Sequence, residues 1–480
     1  MRPRSPAGDG EEDLFRSRLA NILDPRHELL RLAALIDWAA LDAAFGPLYA
    51  EAGRPGLPTR LMAGLHLLKH AKGLSDEEVC AQWVENPYFQ AFCGEAWFRH
   101  RLPLDRSSMT RWRRRIGPER LEAVLAETIA TARRAGAMDG SHAKRVTIDT
   151  TVQTKAVAHP TDSHLLHTGV RWLARLARRH GVALRQSFVR LAAHARREAA
   201  RLMHGPGHRQ ALRHVRRLRT FLGRLHRDVG RKLAGRPDLE AAFATAQERV
   251  ARVLAQKPGD TGKLYALHAP EVECIGKGKA RVRYEFGVKL GVAVGNARAP
   301  GGQFVLGVRA LPGNPYDGHT LAAQIAQVER LTGERVERAY VDRGYRGHDA
   351  DRARVFISRQ RRDGLTPTIR RELRRRNAVE PVIGHMKSDG LLERNHLAGA
   401  AGDAINAVLA AAGHNLRLLL TWLRLLCAWI LAALRSHLRR RDVRVTAAVA
   451  PIASQHAIGW VKAPRRGAFS RTTRLASQPG

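Results

Sequence analysis

RVTIDTTVQ (145–153) is a run of β-branched residues interrupted by a single carboxylate, Asp149. Val, Ile and Thr favour extended backbone, so 146–152 reads as a strand with its acid at or near the carboxyl end. RAYVDRGYRG (338–347) repeats the pattern, with an apolar strand over 336–341 delivering Asp342 to a turn that Arg-Gly continues. In α/β folds, groups at the carboxyl ends of strands are aimed into the crevice where ligands bind. A third acid lies in RELRRRNAVEPVIGHMKSDG (371–390), which reads as helix and sets Glu380 between Arg376 and Lys387 at spacings of four and seven. At roughly 100° per residue the three side chains fall near 0°, 40° and 20°, so one carboxylate and two cations share a face. Such a face suits phosphate.

Three carboxylates packed together repel, and at least one pKa must rise unless a cation intervenes. Hard oxygen donors suit magnesium or manganese, and two such ions can serve the attacking and leaving oxygens of an in-line phosphoryl displacement. The metal ligands expected are therefore Asp149, Asp342 and Glu380.

The order Asp, Asp, Glu, with Arg376-x3-Glu380-x6-Lys387 around the last acid, resembles the DDE transposases of bacterial insertion sequences, in particular the insertion sequence five group. Further stretches are similar to that group: PTRLMAGLHLLKHAKGLSDEEV (58–79), LPLDRSSMTRWRRRIG (102–117), VAHPTDSHLL (157–166), LPGNPYDGHTL (311–321) and NAVEPVIGHMK (377–387). The resemblance covers about 58–434. One departure is Leu373, where the family signature often carries Tyr. The resemblance implies a ribonuclease-H-like mixed sheet with flanking helices, an amino-terminal helical DNA-binding domain and a helical insertion in the core. It also implies catalysis by Asp149, Asp342 and Glu380 with two Mg²⁺ (or Mn²⁺) ions, cutting at insertion-sequence ends and transferring the strand into target DNA, with Arg376 and Lys387 on the phosphates. The expected partner is double-stranded DNA, both transposon ends and target, bound by a homodimer or larger synaptic complex. Two other readings use the same residues: a nuclease on the same fold, which cuts without joining, and a non-catalytic sequence-specific DNA-binding protein, in which the acids are dispensable.

The 480 residues carry 82 Lys+Arg against 44 Asp+Glu, a net charge of +38, which predicts association with polyanions, above all nucleic acid. That charge is unevenly spread. Residues 1–145 hold 22 basic and 19 acidic side chains, 171–257 hold 22 and 5, and 435–480 hold 10 and 1. Cys80, Cys93, Cys274 and Cys427 stand far apart, suggesting neither a zinc site nor a disulfide framework. Residues 1–15 lack a signal-peptide core. The apolar stretch 416–434 is interrupted by Arg417 and Arg424, which favours a buried helix over a membrane span. The expected location is the cytoplasm, associated with the nucleoid. KPGDTGKL (257–264) lacks the glycine spacing of a phosphate-binding loop and reads as a connection before a strand.

Five regions follow. Residues 1–140 read as helical, with a capping box at Ser75 and Glu78. Within them Asp105 opens a candidate recognition helix that offers Arg111, Arg113, Arg114 and Arg115 to DNA beside an apolar Trp112. Residues 141–163 begin the catalytic core. Because 193 positions separate Asp149 from Asp342, the helical, basic stretch 164–257 reads as an insertion lying on the DNA backbone. Its His204 and His208 flank Gly-Pro-Gly and read as surface residues of a turn. Residues 258–434 resume the core and, with the Asp149 strand, complete a β-β-β-α-β-α order. There Asp317 reads as a helix cap, His319 as a candidate for DNA or metal-shell contact, and Asn406, His414 and Asn415 as satisfying local hydrogen bonds within a closing helix. Residues 435–480 read as a basic, disordered tail.

Overall fold

The computed structural model of the chain describes residues 17–49, 56–276, 283–359 and 365–447. The helices before the sheet are α1 (Leu19–Ile22), α2 (Glu28–Leu35), α3 (Trp38–Phe45), α4 (Thr59–Lys72), α5 (Asp76–Glu85), α6 (Pro87–Phe92) and α7 (Ser107–Arg134). Ser75 and Glu78 form the expected reciprocal cap at the start of α5. α7 is two helical segments, because Gly117 adopts φ 76° and ψ 167° and Pro118 follows it. Only glycine takes that backbone conformation without strain, and a proline in the first turn of the second segment has no hydrogen bond to lose.

The strands are β1 (Arg145–Thr154), β2 (Glu273–Gly276), β3 (Tyr284–Gly295), β4 (Val305–Leu311), β5 (Arg338–Val341) and β6 (Arg354–Ile357). They form one mixed sheet in the order β2-β3-β1-β5-β6, with β4 also paired to β3. β1 is antiparallel to β3 and parallel to β5, and β5 is parallel to β6. Between β1 and β2 come α8 (Asp162–Arg179), α9 (Val189–Leu202), α10 (His208–Leu233) and α11 (Pro237–Ala255). This insertion has its own core, in which Leu173, Leu218, Leu222, Leu225, Phe243 and Val250 are buried. His204 and His208 are exposed at the turn between α9 and α10, as their sequence context predicts.

After β4 come α12 (Leu321–Thr332), α13 (Pro367–Arg375), α14 (Val379–Ser388) and α15 (Gly399–Ala447). The amino-terminal helices, the sheet and α15 share one continuous apolar core reaching from Leu29 to Leu423, so the described residues of 1–140 are not packed around a core of their own. α15 closes the sheet through buried amides. Asn415 accepts from the Val305 N–H at 2.8 Å and donates to the Val305 carbonyl at 2.9 Å, while Asn406 donates to Gln153 Oε1 at 3.0 Å. His414 lies 3.2 Å from the Gln303 carbonyl. The three residues are hydrogen-bonded as expected, but to the sheet and its loops far away in the chain and not locally.

The chain divides into two compact units, Met1–Leu426 and Cys427–Gly480. α15 runs to Ala447, past the helix end near Leu434 that the sequence suggested, and the remainder of the expected tail, 448–480, lies outside the described residues. Among the described residues no helix is long and apolar enough to cross a membrane.

Candidate active site

β1 is central in the sheet and buried on both faces, with Val146, Ile148 and Val152 enclosed beside Thr147, Thr151 and Gln153. Asp149 is in the middle of this strand, not at its carboxyl end. β3 pairs with β1 from Val146↔Gly295 to Thr154↔Gly287 and so carries extended structure well past the acid. Asp342 is where the sequence placed it, directly after β5. There it begins a 3-10 turn, Arg343–Tyr345, and its Oδ1 accepts the Gly344 N–H at 2.8 Å. Glu380 is exposed in the first turn of α14.

The three acids share one electrostatic neighbourhood. Burial pushes the Asp149 carboxyl up to about 6, and the charges of Asp342 and Glu380 push the same way, against the Thr150 N–H and the Arg376 guanidinium. Arg376 Nη1 is 3.4 Å from Asp149 Oδ2. Among the described residues no group of three His, Cys, Asp or Glu side chains is placed so that it could hold a metal ion as it stands. In donor chemistry the trio does fit one, since carboxylate oxygens are the ligands that magnesium and manganese prefer.

The stretch 371–390 is not one helix. α13 ends at Arg375, Arg376–Ala378 form a 3-10 turn, and α14 begins at Val379. Pro381 explains the break: it has no N–H for the Asn377 carbonyl, and its ring would crowd that carbonyl in a continuous α-helix. Arg376 still reaches Asp149, but by way of the turn and not by helical periodicity. Lys387 lies two helical turns beyond Glu380, and its Nζ is 3.8 Å from Glu285 Oε2 on β3. It is thus part of an ion pair at the far end of α14.

The candidate recognition helix is altered at one position. Arg113 is buried, and its two terminal nitrogens lie 3.0 and 2.7 Å from the two carboxylate oxygens of Asp76, a bidentate pair that Lys69 Nζ joins at 2.6 Å. Trp112 packs beside it and donates to the Tyr49 hydroxyl at 3.2 Å. The helix therefore turns Trp112 and Arg113 into the core and leaves Arg111, Arg114 and Arg115 exposed. Arg113 holds the amino-terminal helices together and has no surface to offer DNA.

Sequence reasoning missed Asp317. It does not cap a helix: Tyr316 stands at the cap position of the 3-10 turn Asp317–Thr320, and no side chain caps that turn. Instead Asp317 Oδ1 lies 3.1 Å from Lys289 Nζ on β3, and its Oδ2 accepts from the Thr150 hydroxyl at 3.4 Å. A Cβ at position 344 would come within 3.0 Å of both Asp317 Oδ2 and Asp342 Oδ1, so Gly344 is what lets the two carboxylates approach the turn. Tyr345 is fully buried beneath them and its hydroxyl has no hydrogen-bond partner. Burial, then Asp317, Asp149 and Asp342, raise the phenol pKa far above its ordinary value. Lys289, in the middle of an apolar strand, was the available signal for a nearby acid. His319 is exposed and packs edge-on against Tyr316.

The family described as a transposase domain (DUF772) matches residues 17–115, which end at the arginine-rich first segment of α7. Over 204 residues the chain is 52% identical to a Rhizobium meliloti protein described as uncharacterized protein ORF8 in the nfe locus, an alignment covering 42% of this chain and 98% of that protein. No solved structure matches. The chain belongs to the family of that Rhizobium meliloti protein, and over 17–115 it carries a transposase-related domain.

Proposed function

We propose that this protein is a DDE transposase of the insertion sequence five type, cleaving DNA at the ends of its element and joining the freed strand to target DNA. The observation that carries this reading is the convergence on Asp149: a half-buried carboxylate on the central strand whose pKa is raised by burial and by Asp342 and Glu380 and opposed by Arg376. Three acids from a strand, a strand end and a helix, with an arginine among them, suit phosphoryl transfer, where positioning and charge compensation are most of what the protein supplies. The sheet order, with β1 antiparallel to β3 and parallel to β5, is consistent with a ribonuclease-H-like core. The transposase-related domain at 17–115 supports the same conclusion.

Asp149, Asp342 and Glu380 would hold two magnesium or manganese ions, which when bound supply Lewis acidity at the scissile phosphate. The chain's own contribution is orientation. Asp342 is fixed by the Gly344 N–H, and Asp149 by the rigid central strand. Arg376 directs one nitrogen to Asp149 and another to Asn377 Oδ1, leaving guanidinium donors for a phosphate oxygen. The exposed Arg111, Arg114 and Arg115 would bind the duplex.

The test is a labelled duplex carrying the element's terminal repeat, incubated with and without magnesium, comparing wild type with Glu380→Gln. Metal-dependent nicks and joined products that the variant loses, with DNA binding kept, are the expected result. Nicks without joined products would point to a nuclease, and binding without chemistry in either protein would leave only the DNA-binding reading.

A further inference from the structure

We infer that a basic cavity beside Asp342 is a seat for DNA backbone phosphates, distinct from the acidic trio and continuous with it. The cavity measures about 430 Å³ and is walled by Arg359, Arg370, Arg374 and Arg376, with Ser358 and Asn377 between them. No acid lines it. Its place in the fold is set by the sheet: the Ser358 N–H donates to the Val341 carbonyl at 2.9 Å, so the end of β6 lies beside the end of β5, where Asp342 begins. This is the carboxyl edge of the parallel strands, where α/β sheets bind ligands. Arg376 belongs to both features, with Asp149 on one side and the cavity on the other.

Two physical facts point to an anion. Arg370 and Arg374 are one helical turn apart on α13, an arrangement of like charges that destabilises a helix unless something compensates it. Among the described residues neither their side chains nor that of Arg359 takes part in an ion pair or hydrogen bond. The wall that carries them is nonetheless rigid. Glu372, on the opposite face of α13, is buried; it accepts from Arg145 Nη1 at 3.0 Å and from the Tyr340 hydroxyl, and Arg338 Nε lies 3.4 Å away. Arg375 Nε donates to the Asn296 carbonyl at 2.6 Å. Unpaired guanidiniums held by an anchored helix are preorganised for phosphate. Three such groups, two on α13 and one after β6, lining one cavity beside a phosphoryl-transfer site fit the phosphates of a DNA strand better than one small ion. The inference rests on the proposed function.

The test uses the full chain and a labelled duplex oligonucleotide, with affinity measured from low to high salt. Replacing Arg359, Arg370 and Arg374 by Gln should flatten the slope of log K against log salt by about 0.9 for each phosphate no longer neutralised, roughly 2–3 in all, with the thermal unfolding midpoint kept. Should the triple variant fail to fold, Arg374→Gln alone should flatten it by about 0.9. A slope equal to that of wild type overturns the inference and leaves the proposed function standing. A wild-type chain that does not bind DNA overturns both. Inorganic pyrophosphate protecting the wild type, but not the variant, from unfolding while the DNA slope is unchanged would make the cavity a small-anion site, and the inference would again fall.

Discussion

Asp149 and Asp76 are two carboxylates that burial treats alike and neighbours treat oppositely. At Asp149, burial and the charges of Asp342 and Glu380 outweigh Thr150 and Arg376, and the pKa moves from 3.8 to about 6. Its protonated form is thus the one that folding favours. The stability it confers is complete below the unfolded pKa and is lost as pH rises through about 6, a change on the order of 1–3 kcal/mol. Asp149→Asn should remove that pH dependence, making the variant as stable as wild type at pH 4 and more stable at pH 7.5 in paired urea titrations, while strand cleavage is abolished. At Asp76 burial also pushes upward, but the Arg113 hydrogen bonds and Lys69 prevail and hold the carboxyl well below its ordinary range. That contribution is present above the unfolded pKa and is lost as pH falls below it. Asp76→Asn should cost about 3–5 kcal/mol at neutral pH, because it leaves Arg113 buried and unpaired. Arg111→Ala, on the exposed face, should change stability by less than about 0.5 kcal/mol. An equal loss in the two variants would contradict the assignment of Arg113 to the core.

At the scale of elements, two helical stretches are broken where a residue cannot continue them. α7 changes direction at Gly117, with φ 76°. The bend lets its first segment pack Trp112 against Tyr49 and its second run beneath the sheet with Leu121, Val124 and Leu125 buried. Gly117→Ala forces an L side chain into a glycine-only region and should destabilise the chain by about 1–3 kcal/mol, read as a lower urea midpoint with an unchanged m-value. A variant as stable as wild type would mean that the bend relaxes without consequence. In 371–390 Pro381 has the corresponding role, separating the arginine wall of α13 from the Glu380 helix. Both punctuating residues are visible in the sequence. What hid the break in 371–390 was the strength of the helical periodicity on either side of it.

For the whole molecule, the charge follows the architecture. The insertion α8–α11 buries an apolar stripe, Leu218, Leu222, Leu225 and Val229 on α10, and exposes Arg213, Arg216, Arg224 and Arg227 around it to differing degrees. Changing those four arginines to Gln leaves the buried stripe untouched. The melting temperature should stay within a few degrees of wild type, and the salt slope of duplex binding should fall by up to about 0.9 per residue changed if the insertion lies on DNA. An unaltered slope would mean that the bundle's charge is solvated and touches no DNA.

By itself the sequence determined the strands around Asp149 and Asp342, the capping box of α5, and the helical insertion and its charge. Each of these is written in local composition: β-branched runs, capping residues, three-four periodicity and the density of arginine. Only the tertiary structure decided that Arg113 faces inward, that Lys387 pairs with Glu285, and that Asp317 joins the acids through Lys289 and Gly344. These outcomes depend on partners 37, 102 and 28 positions away in the chain. A charged residue looks the same in a sequence whether its partner is water, a phosphate or a buried counter-ion, and only packing distinguishes them.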